Sequence, residues 1–142
     1  MAKIRIVTDG SVHFPDPEIA RTHRINIVPY CIDVDKRTLT DGLGNISPER
    51  YLEHIAQSNA RPQVNAPSIA DFTESFRALE TSKTDVLCLC ASRHITDAWP
   101  HAKIAGDIVR GKIKIIVIDS LTTSIGLGLM IEAATIAISA GA

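Results

Sequence analysis

The chain has no excess of charge of either sign. Lys and Arg number 15 against 16 Asp and Glu, a formal net charge of −1, so no long-range field draws it to nucleic acid or to an anionic membrane surface. It also lacks an unbroken apolar run long enough to cross a bilayer. The longest apolar tract, Ile125 to Ile138, is interrupted by Gly126, Gly128 and Glu132 and reads as a buried helix, so no integral membrane contact is expected. The opening MAKIRIVTDG goes straight into a strand-like pattern, without the apolar stretch of a signal peptide. Cysteine is scarce, at three residues: Cys31, Cys88 and Cys90. An odd count without a secretion signal points to reduced thiols and a cytoplasmic protein. Cys88 and Cys90 lie two apart on an expected strand and point the same way. No second Cys or His pair completes a metal set, which favours buried core thiols.

The familiar catalytic signatures are missing too. There is no G-x-x-x-x-G-K-[ST] loop for nucleotide phosphates and no G-x-G-x-x-G after a strand. Gly126-Leu127-Gly128 falls inside a helix pattern, the wrong context for a dinucleotide loop. No G-x-S-x-G elbow offers a hydrolase nucleophile. The five histidines, His13, His23, His54, His94 and His101, form no H-x-x-x-H pair, so neither a zinc site nor any other metal or cofactor is expected. Acid–base work by Asp9, Asp97 or Asp119 stays open, although Asp97 suits a helix cap. The balance favours a binding protein over an enzyme.

What is present is a regular alternation of strands and helices. At 142 residues the chain is long enough for one domain with a real core. Buried strands are expected at Ile4–Val7, Ile25–Val28, Val86–Cys90 and Ile113–Ile118. Val86–Cys90 is a continuous apolar run, as in a strand covered on both faces, and Ile113–Ile118, with Lys114 inside it, is a further buried strand. Pro17, Ser47-Pro48, Ser68-x-x-Asp71 and Thr96 or Asp97 mark four helix starts, and a fifth helix begins near Leu121. Thr40-Asp41-Gly42 reads as a turn and Ala60 to Pro67 as a loop. Gly126 and Gly128 weaken the last helix, which implies close packing against a neighbour. This pattern predicts an α/β fold: a single three-layer domain, with a parallel sheet of about four strands and helices on both faces. The strand ends Thr8-Asp9, Ala91-Ser92 and Asp119-Ser120 then gather on one rim, where open α/β sheets bind ligands. Thr8-Asp9-Gly10-Ser11 suits either a ligand loop or an ordinary turn.

Four segments resemble the N-terminal domain of the bacterial DegV family. They are Ile6-Val7-Thr8-Asp9-Gly10-Ser11 with Pro15; Ile27-Val28-Pro29 with Thr40-Asp41-Gly42 and Ile46-Ser47-Pro48; Pro67-Ser68 with Asp71-Phe72; and Val117-Ile118-Asp119-Ser120 with Ser124 and Gly126-Leu127-Gly128. The last is the most specific. The resemblance implies a non-catalytic lipid carrier that holds a fatty acid as its ligand, and a fatty-acid kinase as a partner to which the lipid is presented. It also implies that residues 1–142 are the N-terminal domain alone, without the family's second domain.

In the resembling family, hydroxyls from two loops grip the carboxylate. The corresponding residues here are Val64-Asn65-Ala66 in place of Thr-Ser-Gln, and Thr96-Asp97-Ala98-Trp99 in place of Ser-Gly-Thr-Tyr. The ligand-binding residues implied are Val64, Asn65, Ser92, Thr96, Asp97, Ala98 and Ser120. Thr96 is the surviving hydroxyl, and Asn65 stands in for those lost around Val64. Asp97 brings a negative charge where the family has glycine, and as a helix cap it would occupy the amides a carboxylate needs, so weak fatty-acid binding is expected. The alternative is a structural or interaction module, completed by dimerisation or by another chain. A homo-oligomer that buries part of the final helix is expected in either case.

Overall fold

A computed structural model describes residues 3–35, 37–41 and 47–141. Its centre is a four-stranded sheet of β1 (Ile4–Asp9), β2 (Asn26–Val28), β6 (Asp85–Cys90) and β7 (Ile115–Asp119), in the spatial order β2-β1-β6-β7. All three pairings are parallel, with Val7 opposite Cys88 and Cys88 opposite Val117. Alternate side chains of β1 and β6 point to opposite faces, and both faces are covered.

On one face lie α3 (Ile69–Thr81) and α4 (Ala98–Ile108). Phe72, Phe76 and Leu79 of α3 and Ala98, Ala102 and Ala105 of α4 pack on Val7, Val86, Cys88 and Cys90. The alanines let α4 approach closely, and Gly106 faces Ile115 of β7. Helix α3 begins as expected. The Asp71 amide donates to the Ser68 hydroxyl at 3.2 Å, and the Ser68 amide donates back to the Asp71 carboxylate at 2.8 Å. The Cys88 and Cys90 sulfurs are 3.6 Å apart and buried. Their mutual hydrogen bond and burial hold the Cys90 thiol far above its usual range, so it stays protonated.

On the other face, α5 (Ser124–Ser139) lays Leu127 and Ile131 on Ile6, Leu89 and Ala91, with Ile19 of α1 (Glu18–Thr22) beside them. Each such fully buried side chain contributes about 1.5–3 kcal/mol. A Cβ on Gly128 would stand 2.0 Å from the His13 carbonyl oxygen, so this glycine lets α5 sit against the segment that follows β1. The apolar tract of α5 is therefore buried on one side only: Ile125, Leu129, Met130 and Ile136 are exposed. No helix among the described residues is long and apolar enough to cross a membrane.

Beside this layer stands a second, antiparallel sheet of β4 (Arg37–Asp41), β3 (Tyr30–Val34) and β5 (Gln63–Asn65), in that order. The single-sheet expectation did not include it. Pro29 ends β2, as its missing N–H requires, but the chain resumes immediately as β3 with the alternating burial of a half-covered strand. Part of the expected loop at residues 60–67 is β5, recruited by pairing Cys31, Ile32 and Asp33 with Asn65, Val64 and Gln63. Thr40 and Asp41 belong to β4, not to a turn; Gly42 and Ile46 lie outside the described residues. Helix α2 (Pro48–Gln57) starts on the Ser47 cap.

Candidate functional site

The three strand ends meet on one rim and are tied together by the polar residues that close them. Asp9 is fully buried. One carboxylate oxygen accepts the Ser11 amide at 3.0 Å and the other accepts the Ala91 amide at 2.7 Å, joining the ends of β1 and β6. The Ser120 amide donates to the Cys90 carbonyl at 3.0 Å, and the Ser92 amide to the Thr122 carbonyl at 2.8 Å. Arg93 completes the closure, with its Nε 3.4 Å from the Asp119 carboxylate and its guanidinium 5.5 Å from the centre of the Trp99 ring.

This rim and the edge of the second sheet enclose a cavity of about 420 Å³, within the range of small-molecule sites. Its floor is Ala91 and Ser11. Tyr30 enters from β3, Val64 and Ala66 from β5 and the residue after it, and Thr123 from the start of α5. Ile95, Thr96 and Asp97 come from the approach to α4. The Tyr30 hydroxyl and Thr96 Oγ1 are 2.9 Å apart and share a hydrogen bond. Burial, and then the negative charge of Asp9, push the Tyr30 phenol far above its ordinary range, so it is a neutral hydroxyl. The Ser11 hydroxyl is buried and close enough to the Tyr30 phenol to interact with it weakly, but it makes no hydrogen bond of normal geometry among the described residues. Such a group normally finds one, so it is a ready donor or acceptor for whatever fills the cavity.

Of the seven residues expected at the site, Val64, Thr96 and Asp97 line the cavity. The other four are occupied elsewhere. The Asn65 side-chain amide donates to Asp33 at 2.8 Å, because Asn65 stands opposite Cys31 and Asp33 is its diagonal neighbour on the same face of the β3–β5 pair. Ser92 is buried and accepts the His94 amide at 3.2 Å, shaping the loop after β6. Ser120 does the same after β7, accepting the Thr122 amide at 3.3 Å. Ala98, the first residue of α4, is fully buried in the core beneath the helix start.

Asp97 stands at the N-cap position of α4, but its side chain makes no capping hydrogen bond. Its backbone is turn-like (φ −84°, ψ 7°) where capping residues are normally extended. The expectation that a capping Asp97 occupies the helix amides is therefore corrected: the carboxylate is exposed and free of ion-pair partners among the described residues. Sequence reasoning missed Tyr30, Ala66, Ile95 and Thr123 as lining residues. It flagged Ser11 only as part of an ambiguous turn. Nothing local in Tyr30 marks it, since only the second sheet brings it to Thr96. Among the described residues no cluster of His, Cys, Asp and Glu could hold a metal ion.

A family model described as "Uncharacterised protein, DegV family" matches residues 3–142. The chain belongs to the DegV family. The DegV domain-containing 15.5 kDa protein of Staphylococcus aureus is 30% identical over 132 residues, which cover 93% of this chain and 91% of that one. Among solved structures, the DegV fatty acid binding protein of Bacillus subtilis superposes with a TM-score of 0.89 at 22% identity, over 99% of this chain and 49% of that one. A stearic acid-binding protein of Eubacterium ventriosum gives a TM-score of 0.85 at 23% identity, over 99% and 48%. At these identities the structures establish a shared DegV fold. The chain spans about half the length of these solved proteins, and under half of several other DegV relatives, such as the one from Caldanaerobacter subterraneus at 45%.

Proposed function

We propose that this DegV domain is a lipid-binding module that takes a fatty acid or a related acyl lipid at the rim of its parallel sheet and is non-catalytic by itself. The observation that carries this reading is the cavity: four neutral hydroxyls, Ser11, Tyr30, Thr96 and Thr123, stand among Val64, Ala66, Ala91 and Ile95. Apolar walls favour an acyl chain at about 0.8 kcal/mol per buried CH₂, and the hydroxyls orient the polar end. The fatty-acid-binding names of the B. subtilis and E. ventriosum proteins support the same reading. Ser11 and Thr96 are the proposed head-group contacts, Asp97 borders them, and Val64 belongs to the wall. Asn65, Ser92, Ala98 and Ser120 act behind the site by holding its loops. We further propose a cytoplasmic carrier that works with a fatty-acid kinase. Native mass spectrometry of the protein purified from its expression host tests the binding reading: an acyl lipid retained in stoichiometric amount is expected. Absence of lipid, together with no uptake of added dodecanoate or monolauroylglycerol, refutes it.

A second reading, an interaction module completed by a second copy, is favoured by one specific feature. Ile116 and Ile118 of β7 lie on the α5 side of the sheet, at its edge, and are 45% and 38% exposed. Leu129, Met130 and Ile136 of α5 add further uncovered apolar surface. Uncovered apolar surface of this kind favours an interface. The two readings are compatible, and a homodimer is the proposed assembly.

A further inference from the structure

The cavity is electrically one-sided. Among the described residues that line it none is cationic, while Asp97 borders it and Asp9 lies buried behind Ala91. His94 is exposed in the loop that leads to α4 and does not line the cavity, and the other neighbouring charged or titratable groups have partners. Arg93 is held by Asp119 and Trp99. His101 Nδ1 is 2.8 Å from the Pro67 carbonyl oxygen, and Asp33 accepts from Asn65 and Thr38. Tyr30, the remaining titratable group facing the cavity, is a neutral phenol. From β5 and from the start of α5 come only Val64 and Thr123, which carry no charge.

A carboxylate entering here meets the like charge of Asp97, and of Asp9 behind Ala91, with no cationic side chain among the described lining residues and only the partial positive charge at the start of α4 in its favour. An ammonium is attracted by Asp97, but it must sit at the N-terminal end of α4, where the helix dipole is positive. A hydroxyl satisfies both. It donates to the free Asp97 carboxylate, a charge-assisted hydrogen bond, and it accepts from the unpartnered Ser11 hydroxyl.

We infer that this cavity selects an acyl lipid whose polar end is an uncharged hydroxyl, such as a monoacylglycerol, and that Asp97 sets this preference over a carboxylate. The inference rests on the lipid-binding reading above. Asp97 is thus a specificity-determining residue, acting on the head group and not on the acyl chain.

The test is calorimetric titration of the full chain with monolauroylglycerol and with sodium dodecanoate, each below its aggregation concentration, on wild type and Asp97→Asn. Wild type is expected to bind monolauroylglycerol at least about tenfold more tightly at neutral pH, and Asp97→Asn to narrow that ratio by about tenfold, mainly by tightening dodecanoate. Equal affinity of wild type for the two ligands, or a preference that Asp97→Asn leaves unchanged, overturns the inference and leaves the lipid-binding reading standing. Binding of neither ligand overturns that reading and the inference with it. The Asp97 side chain makes no capping hydrogen bond and is in no ion pair among the described residues, so the variant is expected to fold. A second measurement needs only wild type. Lowering the pH from about 8 to about 5 protonates part of the dodecanoate and removes its charge, so its affinity rises relative to monolauroylglycerol. A dodecanoate affinity that does not change across that range overturns the inference.

Discussion

Replacing Gly128 by alanine tests how the fold positions the cavity. In a free helix the change would stabilise by about 1 kcal/mol, because alanine is the better helix former. Here the new methyl would stand 2.0 Å from the His13 carbonyl oxygen and 2.9 Å from its carbonyl carbon. Ordinary van der Waals contact begins at 3.4 Å, so about 1.4 Å of separation must be found between α5 and the segment after β1. Backbone cannot rotate out of the way as a side chain does. A gap of even 0.5–1 Å forfeits about a quarter to a half of the contact energy across it. Leu127 and Ile131, both fully buried, are the side chains that would lose it, from a total burial of about 3–6 kcal/mol. The hydrogen bond from the His13 amide to the Ser124 carbonyl, 3.2 Å long, would weaken at a further cost of about 1 kcal/mol. Set against the helix gain, the net expectation is a loss of about 2 kcal/mol, or about 5–8 °C in Tm. Urea denaturation followed by circular dichroism measures it. Because Ser11 precedes the displaced segment, acyl-lipid affinity should fall in the same variant. Gly126→Ala is the control: its nearest neighbour is the Thr122 hydroxyl at 2.3 Å, which can turn away, so a smaller loss is expected. A Gly128→Ala protein as stable as wild type would refute the reasoning.

Asp9→Ala should cost about 2–4 kcal/mol in urea denaturation, because it strands the buried amides of Ser11 and Ala91 without an acceptor. Phe76→Ala empties the centre of the α3 face and should cost about 3–5 kcal/mol by the same assay. The raised Tyr30 pKa carries a pH signature. Above the ordinary value of 10.0 the unfolded chain loses the phenolic proton while the folded chain keeps it, so stability is fully present below that pH and declines above it. Thermal melts from about pH 9 to pH 11 should therefore fall less steeply for Tyr30→Phe than for wild type, and parallel slopes would show that the phenol is not so perturbed. Light scattering at micromolar concentration should give a dimer for wild type, and Ile118→Lys should shift it toward monomer. A wild-type monomer would count against the proposed assembly.

The parallel sheet was legible because its signals are local. Val86–Cys90 is apolar without alternation, as a strand covered on both faces must be, and Ile115–Ile118 carries the same run at the sheet edge, where only the face toward α4 is covered. The helix starts were legible for the same reason: Ser47 and Ser68 cap the turns that immediately follow them. The gathering of Asp9, Ala91 and Asp119 on one rim follows from parallel strand order, and the close approach implied by Gly128 was readable from a glycine placed where a helix pays for it. The second sheet was not legible. Strand β5 has three residues, two of them polar, and exists only because β3, some thirty positions earlier, offers it an edge. The lining of the cavity inherits that blindness. Tyr30 meets Thr96 across 66 positions, and the same β3–β5 pairing turns Asn65 toward Asp33 and away from the cavity. The role of Asp97 divides in the same way. Its charge and its place at a helix start belong to the sequence alone. Whether the carboxylate caps the helix or stays free depends on the backbone angles at that position, which are set by the packing of α4 on the sheet, and only the tertiary structure decides that it stays free.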